Sequence, residues 1–128
     1  MSYYFAKTLN MRFEQAIDHV VSALKDEGFG IVSTIDVQDT LKKKIDVDFH
    51  PYRILGACNP RLAYEALSIE DKIGTMLPCN VVVQATTDTT TEVAAIDPVA
   101  SMQAVANPRL AEAATGVQAK LRKVIESL

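Results

Sequence analysis

Apolar residues recur along this chain with two periods, two and roughly 3.6, and the switches between them predict its elements. Ser2–Lys7 reads as a first strand, with Tyr3 and Phe5 on one side. "NMRFEQAIDHVVSALKDEG" has the helical period: Phe13, Ala16, Ile17, Val20, Val21 and Leu24 form one stripe, with Asn10 as N-cap and Gly28 past the C-terminus. "FGIVSTID" alternates again and predicts a second strand. Asp36 then caps a short helix over "VQDTLKKKI", where Val37, Leu41 and Ile45 recur every fourth residue. "HPYRILGAC" predicts a third strand, and its unbroken run "ILGAC" places it centrally in a sheet. "NPRLAYEALSI" is a helix and "EDKIGTMLP" a broken connection. "CNVVVQAT" and "TEVAAID" form a hairpin across the polar turn "TDTT". From Pro98 onward the chain closes with one short and one long helix. In the long one Leu110, Ala114, Val117, Leu121, Val124 and Leu128 form the stripe.

The resulting order is βαβαβαββαα. It predicts an α+β domain over residues 1–128: a single mixed β-sheet with helices packed mainly on one face. Such a sheet leaves its second face to be covered, and pairing two copies through it predicts a homodimer.

The pentapeptide Asn-Pro-Arg-Leu-Ala occurs twice, at Asn59–Ala63 and Asn107–Ala111. Asn is a good N-cap, Pro fits the first helical position, and Arg, Leu and Ala favour helix. The flanks differ, a buried strand before one copy and helical sequence before the other. The repeat therefore reads as two helix starts, not as a duplicated site.

Composition removes several classes of function. The net charge is −3, and the one basic run, Lys42-Lys43-Lys44, is followed by Asp46 and Asp48. Nucleic acid is not an expected partner, since phosphate backbones are held by clustered positive charge. No apolar run reaches membrane-spanning length and the first ten residues lack a signal-peptide pattern, so no membrane association and a cytoplasmic location are expected. The two cysteines, Cys58 and Cys79, then read as free thiols. No phosphate-binding glycine loop, zinc-protease or nucleophile-elbow motif occurs.

"YRILGACNP" at Tyr52–Pro60 and "LPCNVVV" at Leu77–Val83, with Gly74 between them, resemble the domain-of-unknown-function 302 family. "DEGFGIVS" after the first helix and "AIDP" after the fifth strand extend the resemblance over most of the chain. It implies a small α+β domain that tends to form homodimers. It brings no established activity and no catalytic residues.

Candidate chemistry gathers where the third strand ends and the fourth begins. Cys58, Asn59, Cys79 and Asn80 are the candidate ligand-binding residues, at one end of the sheet if those strands pair antiparallel. Only Cys58 stands beside a helix start, where thiolate is favoured. The thiols read as a reactive pair, as part of a soft-metal site, as one nucleophile with a helper, or as small buried hydrophobes. No complete metal set assembles: His50 begins the strand that Cys58 ends, roughly 26 Å away at about 3.3 Å per residue. Asp46, Asp48 and His50 alternate along "DVDFH", which a hard or borderline metal could use but which reads first as a solvated connection before Pro51. Neither a cofactor nor a metal is assigned. Three functions remain: a non-enzymatic module binding a small molecule or protein partner at the thiol end, with backbone N–H groups at the helix start receiving a polar group; a thiol-dependent redox or soft-metal protein; and a purely structural dimer.

Overall fold

The structure, a computed structural model, describes residues 2–128. Its strands are β1 (Tyr4–Leu9), β2 (Gly30–Asp36), β3 (Tyr52–Cys58), β4 (Cys79–Ala85) and β5 (Thr91–Ile96), and its helices α1 (Phe13–Asp26), α2 (Val37–Ile45), α3 (Pro60–Ile69), α4 (Pro98–Ser101) and α5 (Pro108–Ser127). A 3₁₀ turn over Asp71–Met76 fills the connection from α3 to β4.

The α+β class and the element order hold, but the sheet is not mixed. Its order is β1-β5-β4-β3-β2, and every neighbouring pair is antiparallel. β1 and β2 run the same way but occupy opposite edges. The long apolar runs of β3 and β4 take the interior, so α1 carries the chain across the whole sheet instead of joining two parallel neighbours.

Strand alternation assigns the two faces. Leu55, Val81 and Ala95 form one cross-strand row, and Val83 lies opposite Val93 in the next. These side chains are buried against Ala16, Ile17, Val20 and Leu24 of α1 and Leu121, Val124 and Ile125 of α5. A second cluster, Ala66, Ile73, Met102, Leu110 and Ala114, lies where α3 and the 3₁₀ turn meet the start of α5. On the opposite face Ile35, Ile54, Val82, Ala94 and Ala6 form an apolar row, and Tyr52, Gln84, Glu92 and Thr8 a mixed one beside it.

Local chemistry explains most boundaries. Asn59 Oδ1 accepts from the Leu62 N–H at 3.3 Å and Asn107 Oδ1 from the Arg109 N–H at 3.1 Å, each followed by proline at the first helical position. Both copies of the pentapeptide are thus capped helix starts. Gly28, at φ 87°, closes α1: its N–H donates to Lys25 and the Phe29 N–H to Leu24. The start of α1 departs from expectation. Arg12, not Asn10, is the N-cap, without a side-chain cap bond. β1 runs on to the buried Leu9, and buried Thr91 Oγ1 donates to the Met11 carbonyl at 2.9 Å, which delays the helix. No helix among the described residues is long and apolar enough to cross a membrane.

Candidate ligand cavity at the thiol end of the sheet

Ala57 on β3 lies directly opposite Cys79 on β4. Cys58, the last residue of β3, and Asn59, the cap of α3, follow at once. At Gly56 a Cβ would run into Ser33 Oγ and stand 2.7 Å from Pro78 Cγ, so only glycine lets β3 approach the proline that precedes Cys79. Together these residues bring the end of β3, the start of β4 and the first turns of α3 around one cavity of about 50 Å³.

Cys58, Asn59 and Cys79 all line that cavity. Its remaining wall is apolar: Phe29, Leu62, Leu77 and Met102 contribute large side chains, while Ala63 and Ala66 from α3 and Ala113 and Ala114 from α5 are small. Small residues on two packed helices leave the gap that larger ones would fill. A volume near 50 Å³ exceeds what a water molecule needs and falls well short of the ~300 Å³ of a site for a drug-sized ligand. The opening therefore suits an apolar group of a few atoms.

The polar groups do not turn the cavity into an anion site. Asn59 spends its side-chain oxygen on the Leu62 N–H, while its amide nitrogen lies where a Cβ on Gly28 would fall, 2.8 Å away. Its geometry is that of a cap. Cys79 is buried, and that burial, followed by the proximity of Cys58, pushes its thiol up to about 11. Cys79 is thus a neutral thiol at pH 7, and a thiol is a poor nucleophile and a poor metal ligand compared with thiolate. Cys58 is half-buried.

Asn80 stands apart. One residue further along β4 it points to the other face of the sheet, where it is exposed. Of the four candidate residues, three therefore line the cavity and one does not. The "DVDFH" segment likewise separates. Asp46 and Asp48 both pair with Lys42, at 2.9 and 3.2 Å, whereas His50 Nε2 lies 2.9 Å from Gln84 Oε1. Among the described residues no group of three or more His, Cys, Asp or Glu side chains is arranged to hold a metal ion. The contribution of α5 to the cavity could not be placed from the sequence. In the sequence it shows only as the alanines of "PRLAEAATGVQA".

The profile of a domain of unknown function, DUF302, matches residues 5–128. No curated protein matches the chain significantly. Among solved structures, the crystal structure of an uncharacterized conserved DUF302 protein from Bacillus stearothermophilus is similar, with a TM-score of 0.90 at 27% identity over 98% of each chain. From its third strand to its closing helix, and over nearly its whole length, this chain belongs to the DUF302 family.

Proposed function

We propose that this protein is a non-enzymatic binding module that takes a small apolar group into the cavity beside Cys58 and Cys79. One observation carries the reading: a partly open space with an almost wholly apolar wall and two thiols, its flanking amide already committed to capping a helix. Burial of apolar surface is then the driving force, at about 25 cal/mol per Å². An amide NMR titration with n-butanol tests it. Saturable shifts are expected at Cys58, Ala63, Cys79 and Ala114, and Ala63→Phe should abolish them while leaving the rest of the spectrum in place. Shifts that do not saturate, or that survive in A63F, would overturn the placement.

The thiol pair also supports a second reading, because two cysteines line one small space. Reversible disulfide formation or capture of a soft metal ion would use both. Iodoacetamide at pH 7 separates the readings. The binding module labels at Cys58 alone in the native state, with Cys79 reached only in denaturant. Rapid loss of both thiols in native protein favours the thiol chemistry.

We further propose a homodimer formed through α2. This helix has an apolar stripe, Val37, Leu41 and Ile45, yet buries none of its residues, and Ile45 is 63% exposed. Its charges are segregated, Asp36 and Asp39 at the N-terminal end and Lys42, Lys43 and Lys44 toward the other, where Lys42 pairs with Asp46 and Asp48, Lys43 with Asp39, and Lys44 is left for a partner. Antiparallel pairing of two α2 helices about a twofold axis sets each lysine end on the partner's acidic end. Light scattering should give twice the chain mass at micromolar concentration, and Ile45→Glu should yield monomer. A wild-type monomer would remove the dimer from the reading.

A further inference from the structure

The open face of the sheet holds a second depression, of about 320 Å³, remote in chemistry from the thiol cavity. Its floor is made by Val82 and Ala94, neighbours on adjacent strands. Tyr52 stands on one side and Tyr3 and Tyr4 on the other, the last two edge to face with ring centroids 5.0 Å apart. The depression opens over Ala94, which is small where the flanking residues are aromatic.

Among the described residues one charged group faces this basin. Glu92 is half-buried and pairs with no cation in any salt bridge of the described residues. Gln84 Nε2 donates to Glu92 Oε1 at 3.2 Å, and Gln84 Oε1 is itself held by His50 Nε2 at 2.9 Å. His50 in turn stacks against Phe49, with ring centroids 4.2 Å apart. The carboxylate is therefore held by a bonded chain anchored in an aromatic cluster, and no cation of the described residues pairs with it. We propose that this basin binds an organic ammonium cation, an alkyl- or arylamine in its charged form. The carboxylate pairs with the ammonium, the tyrosine faces attract the same charge through their quadrupoles, and the Val82–Ala94 floor takes the hydrocarbon. The volume falls at the lower end of the range of ligand sites, ~300–1,000 Å³. The mixed row of Tyr52, Gln84 and Glu92 gives a second copy of the chain no matching cation on this face, which distinguishes it from the surface around α2.

Amide NMR titrations of the full chain at pH 7 with phenethylammonium chloride and with its neutral counterpart 2-phenylethanol test the assignment. Saturable shifts are expected at Tyr52, Val82, Gln84 and Ala94, with the alcohol about fivefold weaker, in the range a desolvated cation–aromatic and carboxylate contact supplies. Glu92→Gln keeps an acceptor for Gln84 and so reads charge alone; it should reduce amine binding to the level of the alcohol. Tyr52→Leu keeps the apolar wall without the ring and should weaken the amine about threefold. Equal affinity for amine and alcohol, or an unchanged amine affinity in E92Q, would overturn the proposal. So would shifts at the same residues on raising protein concentration without ligand, which would seat a second copy on this face. The n-butanol titration reports on other residues, so either site can fail alone.

Discussion

Two of the described residues hold left-handed backbone, and they differ in cost. Gly28, at φ 87°, turns the chain from α1 into β2, and the Asn59 amide occupies the place a side chain would take. Gly28→Ala therefore meets both conformational strain and a clash, and should lower stability by about 1–3 kcal/mol in urea denaturation, with Asn59 displaced from its cap. Asp46, at φ 54°, ends α2 in the same region but is exposed. There Asp46→Gly should raise stability by about 0.5–1 kcal/mol, because the ion pair it loses with Lys42 is a surface one of little worth. The sequence made the first position legible, since glycine after an amphipathic run marks a helix end. It hid the second, because aspartate there reads simply as a charge.

At the scale of elements, the repeated pentapeptide performs one local task twice and sits in two different environments. Asn59 caps α3 beside the cavity and touches Gly28, whereas Asn107 caps α5 at an exposed end. Each Asn→Ala replacement should cost about 1 kcal/mol through loss of the cap. N59A should cost more than N107A, since only it also removes a packing contact, and chemical denaturation of the two variants and the double variant checks this. Helix starts were readable because capping is a contract between residues two or three apart. The start of α1 was not, because the decisive contact, Thr91 to the Met11 carbonyl, spans 80 positions. α2 shows the converse: its period is plain in the sequence, but that Val37 and Leu41 are only partly covered and Ile45 is left exposed emerges only from packing.

At the scale of the whole molecule, folding buries Cys79 as a neutral thiol, and stability must depend on pH for that reason. Its ordinary value of 9.0 is raised to about 11, by burial first and then by Cys58. The unfolded chain thus loses this proton near pH 9 while the folded chain keeps it. The contribution is full below about pH 9 and falls away between about 9 and 11, by about 2–3 kcal/mol in total. Thermal melts across that range should show the decline, and Cys79→Ala should flatten it.

What the sequence by itself determined here is local: periodicity set the elements and their order, caps and glycines set most of their ends, and the quoted motifs placed the chain in its family. The tertiary structure alone decided the rest. Whether strands neighbour in parallel or antiparallel depends on which apolar runs win the interior, a competition over the entire chain, and β3 and β4 won it. Cys58, Asn59 and Cys79 met in one cavity because α5 closed over them, and Asn80 left it because successive strand residues face opposite ways. The basin between Tyr3, Tyr52 and Glu92 joins residues from the beginning, middle and end of the sheet's chain path. No pattern along the sequence links them; strand register, set by the hydrophobic face beneath, brings them together.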